Sequence, residues 1–99
     1  MKILIVVDMQ KDFISGPLGT VEARAIVPYV AEKAKNTPRE NLFVTLDTHQ
    51  PNYMETNEGR HLPVPHCIEG TEGHALDNAI AAALDGIPAS RIIRKPTFG

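Results

Sequence analysis

The chain has 99 residues, 42% hydrophobic and 22% charged, with a formal net charge of -2 and one cysteine. That length holds one domain or part of one, with a core that removes about 60–70% of the unfolded surface from water. The near-neutral balance, with no basic run and no interleaving of basic and aromatic residues, argues against nucleic acid as a partner. The five-residue apolar opening is too short for a membrane span, and a lone Cys67 cannot pair within the chain, so a cytoplasmic protein is expected.

In chain order, Ile3–Val7 is a continuous, β-branched run and reads as a strand buried on both faces, stopped at Asp8. Ile14–Thr20 contains Ser15-Gly16-Pro17 and Gly19 and reads as a loop. A helix is predicted from Thr20 or Glu22 to about Lys35, with Ala23, Ile26, Val27, Val30 and Ala34 on its apolar face. Pro28 lies inside that pattern, so it either occupies the first turn or kinks the helix. Leu42–Leu46 is a second strand, followed by Asp47. Residues 48–75 are rich in Pro, Gly, His and Asn and lack periodicity. A loop that long in a small domain points to function or disorder. Ala75–Leu84 reads as a helix with Leu76, Ile80 and Leu84 on one face, stopped by Asp85-Gly86 and Pro88. Arg91–Arg94 is a third strand, followed by Lys95. The order β-α-β-loop-α-β predicts a parallel sheet with right-handed crossovers.

Three apolar runs thus end in charged residues: Asp8, Asp47 and Lys95. In an open α/β sheet the ligand crevice lies beyond the carboxyl ends of the strands, so these residues converge there if the strands are neighbours. The plain alternative is that each merely marks where a strand leaves the core. Asp47-Thr48-His49 places a carboxylate and an imidazole two residues apart, and His66 in the long loop supplies a third ligand of the right type. Such a set suits zinc, iron or manganese; an Asp-x-His pair is also a common loop hydrogen bond. His61 and His74 qualify by type alone, and both read equally well as surface residues. Cys67 beside His66 reads as a nucleophile, a ligand or a small buried hydrophobe, the last being favoured.

The stretches IVVDMQKDF, TLDTH, LPVPHCIEGTEG and KPTFG, in that order, resemble the isochorismatase-like cysteine hydrolases, and within them the nicotinamidase branch. The resemblance covers Ile3 to Gly99. It implies a doubly wound, three-layer α/β fold with a mostly parallel sheet and flanking helices, and a catalytic triad of Asp, Lys and Cys. By that resemblance Asp8 is the triad aspartate, the general base, Lys95 is the triad lysine beside it, and Phe13 is the aromatic lining the substrate pocket. Asp47, His49 and His66 are then ligands of a divalent metal ion, zinc foremost. The implied reaction is attack of a cysteine thiolate on a small amide such as nicotinamide, with loss of ammonia and hydrolysis of the thioester.

The family's nucleophile follows its lysine, and Cys67 does not match it. The 99 residues are therefore expected to be the N-terminal part of one hydrolase domain, inactive alone, with the nucleophile beyond Gly99. The half sheet is expected to expose an edge and a face, and to need a homo-oligomer or a complementary chain segment as partner beside its amide substrate. Isochorismatase proper acts on a vinyl ether and generally lacks the metal set, so the DTH and PHC motifs favour the metal branch. A degenerate, non-catalytic metal-binding member is the alternative from another class. A flavodoxin-like or response-regulator-like domain is disfavoured, because the chain has neither a phosphate cradle nor an acidic pair after the first strand. Asn57 and Glu58 are read as residues that tune the substrate.

Overall fold

The computed structural model describes residues 3–96, so Thr97, Phe98 and Gly99 of the last motif lie outside the described residues. Three strands form one parallel sheet: β1 (Leu4–Val7), β2 (Leu42–Asp47) and β3 (Ile92–Lys95), in the order β1-β2-β3. Val6 stands opposite Val44, Val44 opposite Ile92, and Asp47 opposite Lys95. The helices are α1 (Lys11–Ile14), α2 (Val21–Lys35), α3 (Asn57–His61) and α4 (Asn78–Ala83). The α/β class and the parallel sheet are as the sequence predicts.

α2 starts where Thr20 caps it, its hydroxyl accepting from the Ala23 amide at 3.0 Å. Glu22 in the first turn and Lys33 and Lys35 in the last complement the helix dipole. Pro28 sits in the interior of α2 and not in its first turn; the helix continues through it. Ala31 and Ala34 face the core, while Ile26 is 47% exposed, against the periodicity that placed it inside. Ile26 instead lies on the lip of a groove beside β1.

α4 begins at Asn78, three residues later than predicted. Residues 75–77 are drawn into extended pairing with the segment after β1: Lys11 N–H donates to Ala75 O at 2.8 Å and Asp77 N–H to Met9 O at 2.9 Å. Asp77 then caps the helix through Ala79 N–H at 2.9 Å. Ile80, Ala83 and Leu84 join Val6, Leu42, Val44 and Leu46 in a single core with α2. Burial of Ile80 alone is worth about 1.5–3 kcal/mol.

β1 departs from expectation. Val6 is buried, but Ile5 and Val7 are 55% and 56% exposed, so one face of the strand is covered and not both. The reason is that α2 and α4 pack on the Leu4/Val6 side alone. Ile3 and Ile93 extend the uncovered face. At its carboxyl end that same face is roofed by residues 48–74. This segment is organised rather than loose: it holds a 3-10 turn at Tyr53–Glu55, then α3, and a second turn at Glu72–His74. A parallel bridge also joins His49 to Ile68.

Candidate functional site

Strand alternation and register put Thr45, Asp47 and Lys95 on one face at the carboxyl end of the sheet. Asp8, one residue past β1, adopts a left-handed backbone with φ 52°. For a residue with a Cβ that costs about 1–2 kcal/mol. It turns the carboxylate back over the end of β2, where Oδ1 accepts from Thr45 Oγ1 at 2.7 Å. The Asp8 amide donates to Thr45 O at 3.1 Å, which fixes the turn. Lys95 Nζ then reaches across β2 to donate to Asp8 Oδ2 at 2.8 Å, both side chains being one-fifth exposed. The two charged strand ends predicted to converge do so.

Next to this pair lies a cluster of four ligand-type side chains: Asp47, His49, Glu58 and His66. One donor atom from each lies within 4.8 Å of every other. His49 Nε2 is 2.9 Å from Asp47 Oδ2 and 3.1 Å from Glu58 Oε2, and His66 Nε2 is 3.3 Å from Asp47 Oδ2. His66 Nδ1–H faces Val64 O at 2.7 Å, which fixes the tautomer and turns the basic Nε2 toward the cluster. Asp47 is fully buried, yet its Oδ1 has no hydrogen-bond partner among the described residues. Two carboxylates and two imidazoles packed this closely, with a buried acceptor atom unmatched, form a donor set that fits a divalent cation. Tyr53 meets His49 at a tilt and His66 edge-on, at 4.6 and 5.0 Å between ring centroids, and Phe13 meets His66 edge-on at 5.4 Å. These rings keep the cluster in a dry surround.

The supports reach back to the opening motif. Gln10, fully buried, accepts from Asp47 N–H at 2.9 Å and donates to Asp47 O and His74 O, each at 2.8 Å. It therefore holds the backbone of a cluster residue from the turn that carries Asp8. The Tyr53 hydroxyl donates to Leu62 O at 2.8 Å. Burial, then the charges of Glu58 and Asp47, push its pKa up, so it stays a donor.

Asp8, Lys95, Phe13, Asp47, His49 and His66 all lie at this one end of the sheet, in two adjoining groups. Glu58 completes the second group but was read from sequence only as a residue near the substrate. It follows Asp47 by eleven positions and joins the cluster because α3 folds over the 53–55 turn, capped by Thr56 on Gly59 N–H at 3.0 Å. No spacing rule marks it. His61 is exposed, as one of its two readings had it. His74 is not a surface residue: it is buried, and its Nε2 meets Thr48 Oγ1 at 3.0 Å. Thr48 gives its own proton to Leu46 O at 3.0 Å, so His74 donates. Burial first, then the Arg94 charge, lowers the His74 pKa.

Cys67 is fully buried, as the favoured reading held. Burial, and then Asp47, Asp12 and Asp8, push its thiol up to about 12, which leaves almost no thiolate near neutral pH.

A model of the isochorismatase domain matches residues 2–99. No curated protein sequence matches the chain. Among solved structures, a nicotinamidase/pyrazinamidase from Bacillus subtilis aligns at 24% identity with a TM-score of 0.76, over 98% of this chain and 56% of its own. A pyrazinamidase of Pyrococcus horikoshii in complex with zinc aligns at 30% identity and TM-score 0.67, over 97% and 52%. An N-carbamoylsarcosine amidase from Thermoplasma acidophilum aligns at 29% identity and TM-score 0.66, over 98% and 52%. The chain spans about half the length of the solved structures it matches.

Proposed function

The chain belongs to the isochorismatase family, and on that premise we propose that it is the N-terminal part of one hydrolase domain, acting on a small amide such as nicotinamide to give the acid and ammonia. The observation that carries this reading is the Asp8–Lys95 ion pair at 2.8 Å beside the cluster of buried Asp47, His49 and His66 with half-buried Glu58. A zinc-bound pyrazinamidase among the structural relatives supports the metal reading. The N-carbamoylsarcosine amidase supports C–N bond hydrolysis more broadly than any one substrate.

Asp8 accepts the thiol proton of a cysteine nucleophile and returns it to the departing ammonia. Lys95, bonded to Asp8 at 2.8 Å, holds that carboxylate in place and sets a positive charge beside the attacking sulfur. The left-handed turn at Asp8 holds the carboxylate over the sheet end, so little reorganisation is needed at reaction. Phe13 offers a flat apolar wall next to His66 for an aromatic amide. Asp47, His49, Glu58 and His66 would hold a divalent cation, which would supply Lewis-acid chemistry toward a ring nitrogen or a water. Cys67 is not the nucleophile in this reading, because it is buried and its thiol is held protonated; the nucleophile lies outside the 99 residues.

The test is ammonia release by the protein purified from its source, its intact mass recorded, with nicotinamide, pyrazinamide and N-carbamoylsarcosine. The expected result is turnover abolished by Asp8→Asn and by a chelator, and untouched by Cys67→Ala. Ammonia release that needs Cys67 overturns the reading. A second reading, a non-catalytic metal-binding member, draws on the cluster of Asp47, His49, Glu58 and His66, which needs no nucleophile to hold a cation. Tight zinc binding with no turnover of any amide, at an intact mass of 10.8 kDa, would put that reading first.

A further inference from the structure

His66 precedes a residue with an unusual backbone. Cys67 has φ 48°, left-handed, with no glycine to ease it. Its amide N–H donates to Asp12 Oδ2 at 2.7 Å, a short bond to a carboxylate. Its carbonyl accepts from His49 N–H at 2.9 Å, and His49 O accepts from Glu69 N–H at 2.8 Å. Residues 67–69 are thereby zipped to the strand end that carries His49, with Asp12 gripping the bend. Asp12 sits in α1, four residues after Asp8, and is not one of the four cluster residues. Its carboxylate lies in a close-fitting seat: a Cβ added at Gly73 would collide with both oxygens, and one added at Gly16 would also crowd it.

We propose that Asp12 is a positioning residue. Its carboxylate latches the left-handed bend at Cys67 so that His66 faces the cluster, and it thereby sets cation affinity without touching the cation. The proposal rests on the metal reading of the cluster given above. It adds that the two groups of the site are mechanically one, since the latch springs from the same short segment, residues 8–14, that carries Asp8. Glycine at 73 follows from the same geometry, because any side chain there displaces the carboxylate.

The experiment titrates the full chain with cobalt(II), following its d–d absorption, alongside hydrogen exchange of the Cys67 amide in cation-free protein. Asp12→Ala is expected to weaken cobalt affinity at least about tenfold, the range seen when a group supporting a ligand is lost, and to speed Cys67 exchange. Asp12→Asn, whose carbonyl still accepts, loses less. Gly73→Ala, which pushes the carboxylate aside while leaving it in the chain, loses affinity too. Ile80→Val serves as a control that destabilises the core but leaves the affinity unchanged. Cobalt affinity in folded Asp12→Ala equal to that of the unsubstituted chain overturns the latch and leaves the cation site standing. Should Asp12→Ala not fold, unchanged affinity in both Asp12→Asn and Gly73→Ala overturns it equally. Failure of the unsubstituted chain to bind cobalt sinks the metal reading and the latch with it.

Discussion

The two ends of the sheet's uncovered face follow opposite rules. At the carboxyl end, Asp47, His49 and His66 are buried under a roof of short turns, with the Asp47 amide bonded to Gln10 and His66 Nδ1 to Val64 O, while Asp47 Oδ1 is unmatched among the described residues. Away from that roof, Ile3, Ile5, Val7 and Ile93 stand about half exposed, uncovered among the described residues. Where β1 meets α2, a groove of about 240 Å³ runs along the strand, lined by Leu4, Ile5, Val6 and Val7 and, from α2, by Ile26 and Val30. Polar groups cannot be buried without directional partners, so the segment that buries them carries those partners itself. Apolar surface asks only to leave water, and any apolar surface can cover it. The first end is therefore specified within the chain, while the second specifies only the chemistry of whatever covers it.

That contrast can be broken most forcefully at Asp8. On the proposed function, Asp8→Asn is expected to lower kcat by about 10²–10⁴, the usual range for loss of a general acid–base group, while zinc affinity stays unchanged; a loss of zinc binding would mean that the Asp8 carboxylate itself helps to hold the cation. Next, His66→Ala should weaken zinc more than about 100-fold, beyond the 10–100-fold loss typical of a supporting group. Equilibrium dialysis with metal analysis measures it. In the core, Ile80→Ala should cost about 2–5 kcal/mol by urea denaturation. On the open face, Ile5→Ser should change stability by no more than about 0.5 kcal/mol, as surface changes do. A loss above about 1 kcal/mol would mean that the face is covered in solution, and the comparison between the two ends would fall.

The smallest effect concerns His74. Its folded pKa is lowered by burial and by Arg94, so below the ordinary value of 6.5 the unfolded chain takes up a proton that the folded chain refuses. Stability linked to this group is present above that value and is lost as pH falls below it. The fall in melting temperature on acidification should be shallower in His74→Gln.

Much of the site was legible because its residues follow strand ends. Continuous β-branched runs broken by Asp8, Asp47 and Lys95 locate the sheet's carboxyl edge with no knowledge of the loops. The motifs around them carry the family resemblance. Glu58 was not legible as a cluster member, since it arrives through the pairing of α3 with a 3-10 turn, which has no periodic signature. His74 was misread for a related reason: its burial depends on Gln10 and Thr48, both distant in sequence. Val7 and Ile5 show the limit of the strand reading. An unbroken apolar run says that both faces of a strand suit burial, not that both are buried.

Gln10 can be considered as a selection rule. The pocket between the first two strand ends presents one N–H and two carbonyls to a side chain that arrives from below. Among the twenty side chains only a carboxamide carries an acceptor and two donors on one planar head. Glutamate offers no donor when ionised, lysine and arginine offer no acceptor, and asparagine is a methylene too short. The letter two places after Asp8 in the opening motif is thus decoded by polarity and reach together. A change there would be expected to register first as a shift of the Asp47 backbone rather than as a loss of charge.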